Sequence, residues 1–302
     1  MLQQTRVDAV VPYYERFLEE FPDVHTLAQA SEEDVLRLWS GLGYYRRAKM
    51  LHKAASIVSE DCEGAFPRSQ TEWQELPGIG EYTSAAIASI AHGEAVGVVD
   101  GNVRRVVARH GALRLRANDR KLHQHAQNWM ATRMTELAEV QEPGSLNQAV
   151  MELGATICTP ANPNCDVCPL KIGCAAAGKN AATFPLSAKR AQEIALDICF
   201  FLAEKDGMFL LRPCTGRWTK GLWEPPSLEC CPDSQLQDLW SQSGETGMIG
   251  SRLGAVRHRI TKYKIHAHFF RLEGARKDQF VAPESVPLSG LGKKAIRAYL
   301  ST

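Results

Sequence analysis

Four cysteines fall within seventeen residues, Cys158, Cys165, Cys168 and Cys174, in the spacing C-x6-C-x2-C-x5-C. Thiolates are soft donors, and four of them on one short loop can wrap a tetrahedral zinc or a cubane iron–sulfur cluster. Pro169 directly follows Cys168, while Pro160 and Pro163 stiffen the approach. Ligand chemistry alone leaves zinc and iron–sulfur both open. Five further cysteines, Cys62, Cys199, Cys214, Cys230 and Cys231, are scattered along the chain. In a reducing compartment such a tight cluster more often binds metal than forms disulfides.

Two other segments could do chemistry. Leu76-Pro77-Gly78-Ile79-Gly80 lies between two helical patterns. Two glycines in so short a turn allow positive φ and the close approach of another chain. The turn aims backbone N–H groups outward at the start of a helix, where the dipole favours an anion such as a phosphate. An ordinary tight turn would read the same. Further on, Val99-Asp100-Gly101-Asn102-Val103 opens another helix. An aspartate there accepts backbone N–H bonds and feels the positive end of the dipole, and both effects favour its charged form. It is either a plain helix cap or a fixed anion able to steady a positively charged sugar.

These residues need a scaffold, and the periodicity supplies one. Val7, Val10, Val11, Tyr14, Phe17, Leu18 and Phe21 repeat at helical spacing, as do Ala48, Leu51, Ala54, Ala55 and Val58. Ser31 followed by Asp34 opens a short helix around Leu36, Leu38 and Trp39. The pattern predicts helices over residues 82–91, 103–109, 122–137 and 146–157. The small, polar and basic stretch AAAGKNAATFPLSAKRAQ reads as a linker. Beyond it the period switches to two, predicting strands over 194–201, 208–211 and 263–269, with short helices over 235–240 and 293–300. The fold class expected is α+β overall: an all-α part carrying the hairpin and the cysteine loop, then a small α/β domain. The division expected is 1–97, 98–178, a linker at 179–193, and 194–302.

Composition excludes some classes and leaves others. The 302 residues are 44% hydrophobic and 23% charged, ordinary for globular protein. No run of about eighteen apolar residues suggests a membrane span, and the charged opening MLQQTRVDAVVPYYERF does not read as a signal peptide. An intracellular protein is expected, in the cytoplasm or nucleoid if bacterial, without a membrane partner and as a monomer. Net charge is +1, so any nucleic-acid footprint must be local. Arg46, Arg47, Lys49 and Lys53 form one candidate basic face, and Arg104, Arg105 and Arg109 another; two solvated helix faces are the bland reading.

Hairpin, then aspartate, then four cysteines, in this order, resemble the helix-hairpin-helix glycosylase superfamily, and the cysteine spacing resembles its [4Fe–4S] loop. The resemblance covers essentially the whole chain. Lyase members carry a lysine two residues past the last hairpin glycine, whose amine forms a Schiff base. Here that residue is Tyr82, and a phenol cannot form an imine. MLQQTRV, LWSGLGYYRRAKML and LNQAVMELGATIC are similar to segments of the MutY family of adenine DNA glycosylases. That resemblance implies double-stranded DNA holding adenine opposite 8-oxoguanine as partner and a [4Fe–4S] cluster on Cys158, Cys165, Cys168 and Cys174. Gln4 then enters the base stack and Tyr44 wedges beside the oxidised guanine. The turn around Leu76, Gly78 and Gly80, with Asn102, contacts DNA. Asp100 and Tyr82 attend the sugar cation, and Glu152 lies near the adenine pocket.

Departures from the family are as informative. The family's general-acid glutamate stands two residues before the methionine of MLQQT, which here is Met1. Adenine leaves only when protonated, and Asp100 must stay ionised, so the 302 residues are expected to have little activity. An incomplete chain and a non-catalytic lesion-binding homologue both account for this; an endonuclease III-like lyase is a further alternative that Tyr82 opposes. The segment from RPCTGRWTKGLWEPP onward resembles the family's Nudix-like lesion-recognition domain. A working Nudix hydrolase needs glutamates as R-E-x-x-E-E for Mg²⁺, whereas SQLQDLWSQ offers Asp238 alone. Family members read 8-oxoguanine with Phe-Ser-His after an Arg-His pair. Here Arg257-His258 is followed by Ile260-Thr261-Lys262, so Thr261 keeps the hydroxyl and Lys262 departs from the histidine.

Overall fold

A computed structural model describes residues 1–137, 142–178, 180–187, 192–216, 219–232, 235–275 and 280–302. The chain folds as two compact units: Met1–Gly64 with Ala191–Thr302, and Ala65–Arg190. Packing therefore parts the chain after Gly64 rather than at the expected 97/98 boundary. The reason lies in one core, where Val10, Phe17, Leu36, Trp39 and Ala48 are buried together with Cys214 and Leu222 from the far end of the chain. Part of the expected linker, residues 179 and 188–191, lies outside the described residues, as do residues 217–218 of RPCTGRWTKGLWEPP and residue 234 of SQLQDLWSQ.

The first unit opens with α1 (Val7–Glu20), α2 (Val24–Gln29), α3 (Glu32–Trp39) and α4 (Arg46–Glu60). Ser31 caps α3 by accepting from the Asp34 N–H, as its sequence predicts. Helix α2 has no long stripe to announce it, and is instead started by a reciprocal capping box between Asp23 and Thr26. The apolar stripe of α1 divides in two. Val10, Phe17 and Phe21 are buried, whereas Val7, Val11, Tyr14 and Leu18 are exposed.

The same unit then holds β1 (Ile194–Leu202), β2 (Glu204–Lys205), β3 (Met208–Leu210), β4 (Arg212–Pro213), β5 (Trp223–Glu224), β6 (Ser227–Leu228), β7 (Met248–Ile260), β8 (Tyr263–Glu273) and β9 (Phe280–Val281). Its main sheet runs β6-β1-β8-β7, with β1 and β8 parallel and the other pairs antiparallel. The alternation does not announce strand β7, because its register slips between Ile249 and Gly254 and such bulges break the pattern. Ile265, Ala267 and Phe269 share a core with Ala295 and Ile296 of a C-terminal helix, Gly290–Leu300. Phe201, on the opposite face, packs its ring 4.3 Å from that of Trp240 in the helix Leu236–Gln242.

The second unit is helical: α5 (Gln70–Glu75), α6 (Glu81–His92), α7 (Gly101–His110), α8 (Arg120–Leu137) and α9 (Pro143–Glu152), after which we number the two helices of the other unit α10 and α11. Val103, Val106, Val107, Met130 and Leu153 are buried in its core. The helix predicted to run to residue 157 ends as α at Glu152 and continues as a π turn, Leu153–Ile157. An all-α part followed by an α/β part is the architecture the periodicity predicts. No helix among the described residues is long and apolar enough to cross a membrane.

Candidate functional site

Asp100 ends an extended approach and caps α7 with backbone at φ −102°, ψ −170°. Its Oδ1 accepts from the Val103 N–H at 2.7 Å and its Oδ2 from Asn102 Nδ2 at 3.0 Å. The preceding loop is fixed by Asn147 of α9, a fully buried amide that sequence reasoning missed. Asn147 Oδ1 accepts from the Val98 N–H at 2.9 Å, while Nδ2 donates to the Val96 carbonyl at 2.9 Å and to Ser89 Oγ at 2.8 Å. A buried amide with every group paired specifies one geometry. The acid is thus anchored from both sides along the chain.

Tyr82, in the first turn of α6, feels the charge of Asp100. Burial first, and then that negative charge, hold its phenol above the ordinary range, so it stays a neutral hydroxyl at pH 7. The hydroxyl donates to Met151 Sδ at 3.8 Å. Glu152 follows Met151 and is exposed where α9 gives way to the π turn. Gly154 in that turn lies hard against α7, since a Cβ there would stand 2.6 Å from Asn102 Cβ and 3.2 Å from its backbone. Gly154→Ala is expected to cost about 1–3 kcal/mol in urea unfolding through this overpacking.

The second basic cluster is not a solvated face. Arg109 is only 2% exposed. Its Nε donates to the Phe184 carbonyl at 3.0 Å, its Nη1 to the carbonyls of Cys158 (3.0 Å) and Thr159 (2.7 Å) and to Cys158 Sγ (3.3 Å), and its Nη2 to the Pro160 carbonyl at 2.8 Å. Arg105 donates to the carbonyls of Cys158 (2.9 Å) and Gly154 (2.6 Å) and to Asn102 Oδ1 (2.8 Å). A loop rich in prolines and short turns has carbonyls that no helix or sheet satisfies, and planar five-donor guanidinium groups fill that need. The cysteine loop is therefore held onto α7 by two arginines.

The Cys168 thiol feels the other three cysteines of the loop. Burial pushes the Cys168 thiol up, and Cys158, Cys174 and Cys165 add to the shift. Cys174 Sγ donates to the Arg109 carbonyl at 3.6 Å. Arg109 is a buried cation whose contacts among the described residues include no carboxylate, and burying such a charge without a counter-charge costs several kcal/mol. A four-thiolate metal centre carries net negative charge, so the donor set and the guanidinium fit it together. Lys171, on the same loop, pairs with Asp166 at 2.9 Å.

The hairpin joins α5 and α6. A Ser69–Glu72 capping box starts α5. Leu76 is buried, so it anchors the turn and leaves outward contact to the backbone around it. Gly78 uses the freedom expected of the turn, at φ +81°, whereas Gly80 is extended at φ −93°. Gly80 is the N-cap of α6 and offers no side-chain cap, and open space lies where its Cβ would be. A helix start left uncapped and unobstructed suits an anion.

In the first unit, Arg47 also departs from the solvated reading. It donates to the carbonyls of Met1 (2.7 Å), Gly43 (3.1 Å) and Gln3, with Trp39 and Tyr44 rings each 5.4 Å away. Desolvation lowers its pKa. It holds the segments that carry Gln4 and Tyr44, both exposed and both left-handed, at φ 58° and 49°. Lys49 pairs with Glu32 at 2.6 Å. Thr261 and Lys262 form the exposed two-residue turn between β7 and β8, with Thr261 at φ 51°. Non-glycine residues in this region are strained and gather at functional sites. No sequence signal marks the left-handed backbone of Gln4, Tyr44 and Thr261, because none is a glycine.

Residues 1–132 match the family described as HhH-GPD superfamily base excision DNA repair protein. The chain is 30% identical over 272 residues to the adenine DNA glycosylase of Buchnera aphidicola subsp. Schizaphis graminum, covering 88% of this chain and 76% of that protein. It is 46% identical over 177 residues to the adenine DNA glycosylases of Mus musculus and Homo sapiens, covering 58% of this chain. The match spans 34% and 32% of those mammalian proteins, about a third of their length. Among solved structures, a thermostable thymine-DNA glycosylase is similar at a TM-score of 0.52 and 26% identity, over 59% of this chain and 80% of that one.

Proposed function

The chain belongs to the adenine DNA glycosylase family, and from that premise we propose that it recognises adenine opposite 8-oxoguanine in duplex DNA and carries the cation-stabilising half of base removal. The observation that carries this reading is Asp100, a carboxylate tied by Val103 and Asn102 with Tyr82 beside it. Adenine, turned out of the stack, departs as its bond to the sugar breaks and positive charge grows on the ring. Asp100 supplies the opposing charge, and the neutral Tyr82 hydroxyl offers a dipole but no nucleophilic amine. Water then closes the reaction at the sugar, leaving an abasic site and an intact backbone.

The rest of the chain serves binding. The bare start of α6 at Gly80 takes a backbone phosphate, while Gly78 and the anchored Leu76 shape the turn. Gln4 and Tyr44 enter or wedge the base stack, and Asn102 holds the acid. Cys158, Cys165, Cys168 and Cys174 hold a [4Fe–4S] cluster, which supplies an anionic anchor for the loop between α9 and the end of this unit. Thr261 and Lys262 read the oxidised guanine. Thr261→Ala is expected to lower preference for 8-oxoguanine over guanine severalfold; equal ratios in wild type and variant would count against that role.

Asp100 has to stay ionised in this role, so the proton that the departing base needs comes from another group. The expected result is tighter binding to an A·8-oxoguanine duplex than to undamaged duplex, and equal binding to the two would remove the lesion assignment. Borohydride should leave no protein attached to DNA, since Tyr82 cannot form an imine.

A further inference from the structure

One group of metal-ligating side chains stands outside everything above. Asp197 of β1 pairs across the parallel ladder with His266 of β8, and His268 lies two residues further along the same strand. His266 Nδ1 is 3.5 Å and His268 Nε2 2.8 Å from the same oxygen, Asp197 Oδ1. The two imidazole rings lie 4.2 Å apart. Cys231, three residues after β6, brings its Sγ to 4.0 Å from Asp197 Oδ2. His268 is buried, and Cys231 is exposed. Two imidazoles and a thiol thus converge on one carboxylate, from two strands and a separate segment.

We propose that Asp197, His266, His268 and Cys231 form a binding site for a thiophilic divalent cation of the zinc class, pinning β1, β8 and the segment after β6 together. Ligand atoms about 2.1 Å from a tetrahedral ion stand about 3.4 Å apart. The 3.5 Å separation already fits and the 2.8 Å separation needs only about 0.6 Å of side-chain movement, whereas Cys231, exposed and near the other carboxylate oxygen, has to turn in as the fourth donor. Mixed N, O and S donors suit zinc better than magnesium or calcium. The carboxylate and the thiolate balance the ion's two charges, with the thiol proton released to solvent.

One neighbour opposes the ion and gives the test its edge. Arg252 Nη2 is 2.9 Å from His268 Nδ1. A guanidinium only donates, so Nδ1 accepts and the ring proton sits on Nε2, facing Asp197. When Nε2 binds metal the proton must sit on Nδ1, and the exposed Arg252 has to swing away. Glutamine at this position would instead accept from Nδ1–H and remove a positive charge.

The full chain, purified with its iron, is incubated with zinc chloride, freed of excess, and assayed for zinc and iron together. Wild type is expected to retain zinc that His266→Ala retains at least about tenfold more weakly, with iron unchanged. Arg252→Gln is expected to retain zinc several times more tightly, a gain that no general unfolding would produce. Zinc should also raise the melting temperature of wild type and leave that of His266→Ala where it was. Equal zinc retention in wild type, His266→Ala and Arg252→Gln overturns the proposal. So does zinc whose loss tracks the loss of iron, which would place it on Cys158, Cys165, Cys168 and Cys174.

Discussion

Asp100→Asn is expected to cost roughly several hundredfold in affinity for a duplex carrying a positively charged sugar analogue. Affinity for the same duplex with a neutral abasic analogue should change by less than about threefold. Asparagine is as good a helix cap as aspartate, and its amide oxygen can still accept from the Val103 N–H. What disappears is the charge, together with the second acceptor that Asn102 Nδ2 uses. A unit charge about 4 Å from a cation is worth about 4 kcal/mol at an effective dielectric of about 20, and each 1.4 kcal/mol or so is tenfold in affinity. Titrating both probes by fluorescence anisotropy separates the outcomes. Equal losses on the two would mean that Asp100 serves only to start α7. This measurement needs no proton donor, so it reads the cation-stabilising role independently of base release.

Arg109→Met is expected to destabilise the helical unit by about 3–5 kcal/mol and to yield protein with most of its iron missing. The substitution fits the volume but strands the carbonyls of Cys158, Thr159, Pro160 and Phe184 in a buried site. Arg109→Lys should rescue little, because one ammonium cannot reach acceptors arranged around a planar fork. Urea unfolding and iron content per chain check the two effects. If iron were retained at the wild-type level with stability reduced, the guanidinium would be a plain structural clamp and not the counter-charge of a thiolate centre.

The sequence reveals some of this site and hides the rest for definable reasons. Cysteine spacing and an aspartate ahead of a helical stripe are local patterns, and both Cys158–Cys174 and the Asp100 cap were readable from them. Arg105 and Arg109 were not, since a charged residue is ordinarily solvated and only the third dimension shows that a loop's carbonyls surround them. Asn147 lies in a segment already noticed, but a buried amide and an exposed one look alike in one dimension. Helices α2 and α5 have six residues each, too short for periodicity, and only their capping boxes betray them. The left-handed backbones of Gln4 and Tyr44 lie in segments that Arg47 holds, and that of Thr261 lies in the two-residue turn between β7 and β8.

The unit built from both ends of the chain sets an order of events during synthesis. Helices α1 to α4 leave the ribosome early, yet Cys214 and Leu222, which share their core, follow only after the whole Ala65–Arg190 segment has been made. At typical elongation rates that wait is on the order of ten seconds. The inserted segment can finish its own core in that interval, while Leu36 and Trp39 stay in need of a lid. A nascent chain stalled before residue 214 would therefore display helices whose apolar core is still open.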